Sequence, residues 1–63
     1  MLKTTPNIPD ADGFYAELLE LHEGRDLDES AAINARLILL LANHIGDREV
    51  LRDAMKAALL TVD

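Results

Sequence analysis

The chain has 63 residues, enough for one small domain, and a domain of this size buries only about 60% of the surface that its unfolded chain exposes. It contains no cysteine, which excludes disulfides and thiolate zinc sites and leaves oligomerisation as the usual remedy for a small core. Its 12 acidic and 6 basic residues give a net charge of −6, so we expect no nucleic-acid partner.

Residues 1–9 predict an extended N-terminal arm. Pro6 and Pro9 each bias the preceding residue towards extended backbone. The arm holds one lysine and no long apolar run, so we expect no secretory signal. Residues 10–63 are expected to form a single helical domain.

A first helix is predicted at about residues 10–23, with Asp10 as its N-cap and Gly24 as its C-terminal stop. Its apolar residues occupy one arc and its glutamates the other. Gly13 in the first turn is expected to weaken the start of this helix, because glycine has low helix propensity.

Two further helices are predicted, at about residues 28–45 and 47–60. Asp28 and Asp47 are the expected N-caps, and Gly46 is expected to end the second helix. The predicted helices are joined by residues 24–27 and by residue 46 alone. Such short links make neighbouring helices antiparallel or sharply angled. The predicted fold is therefore all-α, a compact three-helix unit with an extended arm, completed by oligomerisation. A two-helix hairpin with an arm is the alternative.

The second helix is apolar on nearly every side, and six apolar residues follow one another from Leu37 to Ala42. Two flanking helices cannot cover all of this surface, and monomers rarely expose so large an apolar patch. We therefore expect a homo-oligomer, most simply a dimer with this helix at its centre. The predicted interface residues are Ile33, Asn34, Leu37, Leu40, Leu41 and Ile45.

His22 and His44 each precede a helix-ending glycine by two residues. The helix dipole favours a cation there, so we interpret both as structural rather than as a metal site or an acid–base pair. No grouping of nucleophile and base, glycine-rich phosphate loop or metal-ligand spacing is present. We therefore expect no catalytic residue, no cofactor and no metal.

Arg48, Arg52 and Lys56 form a basic stripe on the third helix, which could suggest a helix-turn-helix DNA reader. Glu49 and Asp53 stand three residues before a basic partner, so we interpret the stripe as a solvated face. No apolar run approaches the roughly 20 residues of a membrane span. We expect a cytoplasmic protein with no membrane partner.

The segment from Ser30 to Asp47 resembles a family of tiny bacterial proteins classed as a domain of unknown function, and the stretch from Phe14 to His22 is also similar to it. The resemblance implies no activity, substrate or catalytic residue. The chain is accordingly predicted to be a non-enzymatic helical protein that self-associates and acts as an accessory or adaptor to a larger protein.

The alternative function is the binding of an apolar or aromatic small molecule in a pocket between helices. In that case a few polar side chains would orient the ligand. The candidates are Tyr15, His22, Asn34 and His44.

Overall fold

The computed structural model of the chain describes residues 1–60, which form three helices and no strand. The helices are, in chain order, α1 (Ala11–His22), α2 (Leu27–Ile45) and α3 (Arg48–Leu59). Residues 1–10 precede α1 without helix or strand. The predicted all-α, three-helix architecture is confirmed. Residues 61–63, the end of the predicted domain, lie outside the described residues.

α1 begins at its predicted cap, where Asp10 and Gly13 are in tight contact. Asp10 has left-handed backbone (φ 51°, ψ 56°), and its Oδ1 accepts a hydrogen bond of 3.2 Å from the amide of Gly13. A Cβ on Gly13 would overlap Oδ2 of Asp10 and lie 2.8 Å from its Cγ. The carboxylate can therefore cap the helix in this position only because residue 13 has no side chain.

α2 begins one residue earlier than predicted, and the prediction that Asp28 is its N-cap is wrong. The N-cap is Asp26, whose Oδ1 accepts a hydrogen bond of 2.8 Å from the amide of Glu29. Asp26 and Glu29 have the three-residue spacing of a capping box. Asp28 instead lies in the first turn, where a carboxylate interacts favourably with the positive end of the helix dipole.

Arg25 connects the end of α1 to the start of α2. Its Nε donates a hydrogen bond of 2.9 Å to the carbonyl oxygen of Leu21, and its Nη1 lies 3.8 Å from Oε2 of Glu29. Gly24, just before it, has a positive φ of 74°, as expected for the glycine that follows a helix. This turn is therefore held by polar contacts from one side chain.

Only Gly46 and Asp47 separate α2 from α3. Gly46 has a φ of 67°, and its amide donates a hydrogen bond of 3.0 Å to the carbonyl oxygen of Ala42. Asp47 Oδ1 accepts hydrogen bonds of 3.0 Å and 3.2 Å from the amides of Glu49 and Val50. The predicted helix end and the predicted N-cap are both confirmed.

The three helices form an open arrangement. No residue among 1–60 is buried, and no two of the three helices pack closely along their lengths. The radius of gyration of the chain is 13.2 Å, whereas a compact chain of this length would have about 11 Å. The apolar faces of the helices are therefore left at the surface.

Candidate interaction surface

An apolar groove of about 450 Å³ lies between the second half of α2 and α3. Its α2 wall consists of Ile38, Leu39, Leu41, Ala42 and Ile45. Its α3 wall consists of Leu51, Ala54, Met55 and Ala58. Among residues 1–60, no charged side chain lines this groove, which we call the α2/α3 groove.

Helical spacing in both segments produces this groove. Ile38, Leu41 and Ile45 are separated by three and four residues, and so are the apolar residues of the α3 wall, so each set forms a stripe on one face of its helix. The short Gly46–Asp47 junction brings the two stripes together at one end. Alanines on the α3 wall leave the space that larger side chains would fill.

The predicted interface residues separate into two groups in the structure. Ile33 and Leu37 are half-buried, so the chain itself partly covers them. Leu41 and Ile45 line the groove and are 51% and 50% exposed. The interface itself stays a prediction; of its apolar members, the exposed ones lie in the second half of α2.

Asn34 and Leu40, the other two predicted interface residues, are exposed on different sides of α2. Asn34 precedes Ile38 by four residues, so it continues the α2 wall of the groove towards the start of the helix. Leu40 is 70% exposed and lies outside the groove, four residues after the exposed Arg36. Leu40 therefore belongs to the polar side of α2.

The four polar residues proposed to orient a small ligand do not come together in the groove. None of them lines it. Tyr15 instead lines a second cavity of about 510 Å³ between the arm and α1, together with Lys3, Thr4, Thr5, Pro6, Asn7, Ile8 and Ala11. The set chosen from the sequence is therefore not a single pocket.

His22 and His44 lie in the last turns of α1 and α2, where the helix dipole favours a basic residue. Nδ1 of His22 is shielded from solvent and has no hydrogen-bond partner within residues 1–60. His44 is exposed. Within the described part of the chain, no three His, Asp or Glu side chains are grouped as metal ligands would be.

The basic stripe of α3 is exposed at Arg48, Arg52 and Lys56. In the part of the chain that the structure describes, its expected acidic neighbours, Glu49 and Asp53, form no ion pair with it within 4 Å. The formal charge of residues 1–30 is −6 and that of residues 31–63 is zero. The strongly acidic part of the chain is therefore α1, its flanking turns and the start of α2.

None of the helices in residues 1–60 combines the length and the hydropathy needed to cross a membrane. No curated protein and no solved structure is significantly similar to this chain. One family model, described as protein of unknown function (DUF2783), matches residues 2–59, which confirms the resemblance detected in the sequence. The chain therefore belongs to the DUF2783 family of proteins of unknown function.

Proposed function

We propose that this chain is a non-enzymatic helical subunit that self-associates and then serves as an accessory or adaptor to a larger protein. The observation that carries the proposal is the absence of any buried residue among 1–60. Hydrophobic burial is the main favourable term in folding, and a three-helix chain without a buried core lacks most of it. A second chain can supply the missing cover.

The surface area of the chain supports this proposal quantitatively. A folded monomer of 6.9 kDa exposes about 4,000 Å², whereas this chain exposes 5923 Å². The excess of about 1,900 Å² is larger than the roughly 800 Å² that each partner contributes to a standard protein–protein interface. Burying it against another chain would give this protein the exposed area of an ordinary folded domain.

The composition of the α2/α3 groove favours assembly over chemistry. The side chains of residues 1–60 that line it are all aliphatic or methionine, and none of them is a nucleophile, a proton donor or a metal ligand. Such a surface resembles the apolar centre of an obligate interface, from which charged residues are depleted. The exposed basic stripe of α3 and the acidic surface of α1 remain outside it and are available to a further partner.

Sedimentation equilibrium at micromolar concentration tests self-association, and two neighbouring leucines provide a matched pair of variants. Leu41→Asp places a carboxylate in the groove, where its desolvation is costly, so we expect it to shift the protein to a monomer of low helicity. Leu40→Asp makes the same change outside the groove, so we expect it to sediment as the parent chain does.

A parent chain that is monomeric, fully helical and unfolds in a sharp thermal transition at micromolar concentration would contradict self-association. Equal dissociation by both variants would show that the groove is not the centre of the contact. Capture of partners with the parent chain, and not with a Lys56→Glu variant, would support the role of the basic stripe in binding a larger acidic protein.

Binding of an apolar small molecule is the second candidate function, because the volume of the groove lies within the usual range of ligand pockets, about 300–1,000 Å³. The two functions predict different masses for the protein in solution. A ligand that fills the groove would stabilise a monomer, whereas self-association doubles the mass without any ligand.

A further inference from the structure

We infer that the α2/α3 groove of one protomer holds α2 of a second copy in antiparallel orientation, with Ile38 of each chain packed against Leu41 of the other. This inference rests on the proposed self-association and specifies its occupant, orientation and register. Three features of the described residues carry it: a heptad pattern on α2, the distribution of charge along α2, and the position of its one polar interface residue.

The first feature is a seam, apolar except at Asn34, that runs along the whole of α2 and continues into the groove. Its members alternate at spacings of four and three residues, which is the heptad pattern of two helices packed side by side. The seam consists of Leu27, Ala31, Asn34, Ile38, Leu41 and Ile45. In the second half of α2, three seam residues, Ile38, Leu41 and Ile45, are part of the α2 wall of the groove. A helix with the same seam therefore matches the groove.

The second feature determines the orientation. Three acidic residues stand at the start of α2, its N-cap Asp26 and then Asp28 and Glu29, whereas its seam carries no charge at all. Parallel pairing would place two such acidic starts side by side, and like charges at close range are destabilising. Antiparallel pairing separates them and places each beside the far end of the other α2, where Asp47, Arg48 and Glu49 together carry a formal charge of only −1. The charges thus favour the antiparallel pair.

The third feature determines the register. In an antiparallel pair the two alternating seam positions pack against each other, so the possible registers differ by whole heptads. Packing Ile38 against the other chain's Leu41 also pairs Asn34 with Ile45, at the edge of the contact, where the amide can reach water. A shift that centres Asn34 against Ile38 would bury its amide among apolar side chains, which is costly.

Disulfide trapping tests this register cleanly, because the natural chain has no cysteine. A disulfide requires Cα atoms about 4.4–6.8 Å apart, so only residues that face each other are trapped. Ile38→Cys and Leu41→Cys chains are prepared separately and mixed in equal amounts in denaturant. The denaturant is then removed to refold the chains, and the mixture is oxidised. We expect the mixture to form several-fold more covalent dimer than either variant alone.

Leu40→Cys is the matched control, because it is adjacent to Leu41 but lies outside the groove, and we expect no trapping with either partner. A second mixture, Asn34→Cys with Ile45→Cys, tests the same register with different side chains and keeps the test valid if one variant folds poorly. Circular dichroism of the reduced proteins verifies that each one is helical.

Each outcome of the trapping experiment has one meaning. Preferential trapping in both mixtures supports the antiparallel register. Stronger trapping of each variant with itself would show a parallel pair, and trapping through Leu40→Cys would show that another face is used; either result overturns this inference. If the parent chain sediments as a dimer but neither mixture is trapped, the register is refuted and self-association is not. If the parent chain sediments as a monomer, the register and self-association are both refuted.

Discussion

At the scale of single residues, the contact between Asp10 and Gly13 explains a glycine that otherwise weakens α1. The capping carboxylate occupies the space where a Cβ of residue 13 would lie. Helix propensity alone would make Gly13→Ala stabilising by up to about 1 kcal/mol. The structure opposes this gain, because the alanine displaces the carboxylate from the amide that it caps.

We therefore expect the effect of Gly13→Ala to change sign with the residue at position 10. In the parent chain the substitution should be neutral or destabilising. In an Asp10→Gly background, which removes the carboxylate and tolerates the left-handed backbone, it should raise the free energy of unfolding by about 0.5–1 kcal/mol. Urea unfolding of the four proteins at one fixed chain concentration measures this coupling.

Equal effects of Gly13→Ala in both backgrounds would contradict the steric explanation. Asp10→Asn serves as a control, since asparagine keeps the capping oxygen and also tolerates positive φ. In that background Gly13→Ala should be as unfavourable as in the parent chain.

At the scale of secondary-structure elements, the start of α2 offers a direct comparison of two aspartates. Asp26→Ala removes the hydrogen bond to the Glu29 amide and should lower the free energy of unfolding by about 1 kcal/mol. Asp28→Ala removes only a charge near the helix dipole and should lower it by about 0.3–0.5 kcal/mol. Urea unfolding at fixed chain concentration measures both values.

High salt separates the two causes further. Salt screens the interaction of Asp28 with the helix dipole, so the effect of Asp28→Ala should diminish in 1 M sodium chloride. The hydrogen bond of Asp26 is short-ranged and should persist. A larger loss from Asp28→Ala than from Asp26→Ala would show that the cap lies where the sequence first suggested.

The helices were predictable because their ends depend on local signals. Asp10, Asp47, Gly24 and Gly46 act at the chain positions where their side chains or backbones favour a helix end. The choice between Asp26 and Asp28 was wrong because both can cap a helix. Only Asp26 is followed three residues later by a glutamate, Glu29, and this is the spacing of a capping box.

The interaction surface was only partly predictable, because α2 is apolar on nearly every side. Sequence alone could not distinguish Leu40 from Leu41, which are equally apolar neighbours about 100° apart around the helix. The position of α3 distinguishes them, since its alanines and Met55 form the second wall beside Leu41. That position depends on the angle at the Gly46–Asp47 junction, for which the sequence provides no periodic signal.

At the scale of the whole molecule, the proposed self-association would make stability a function of concentration. If the core forms between chains, mass action links the melting temperature to the amount of protein. We expect the midpoint of thermal unfolding, followed by circular dichroism at 222 nm, to rise by several degrees over a hundredfold increase in concentration.

The Leu40→Asp variant should show the same dependence on concentration as the parent chain, since its substitution lies outside the groove. A melting temperature that stays constant over the hundredfold range would indicate that each chain folds by itself. The covalent dimer trapped through Ile38→Cys and Leu41→Cys provides a reference, because its melting temperature should no longer depend on concentration.

The polar contacts of the caps and turns described above have a consequence for the rate of folding. Each joins residues no more than four positions apart, including the contacts of Arg25 with Leu21 and Glu29. Contacts of such short range form within about a microsecond and require no long loop to close. If association supplies the core, as we propose, the slow event is the encounter of two chains. Refolding should then follow second-order kinetics, with a half-time that is inversely proportional to chain concentration.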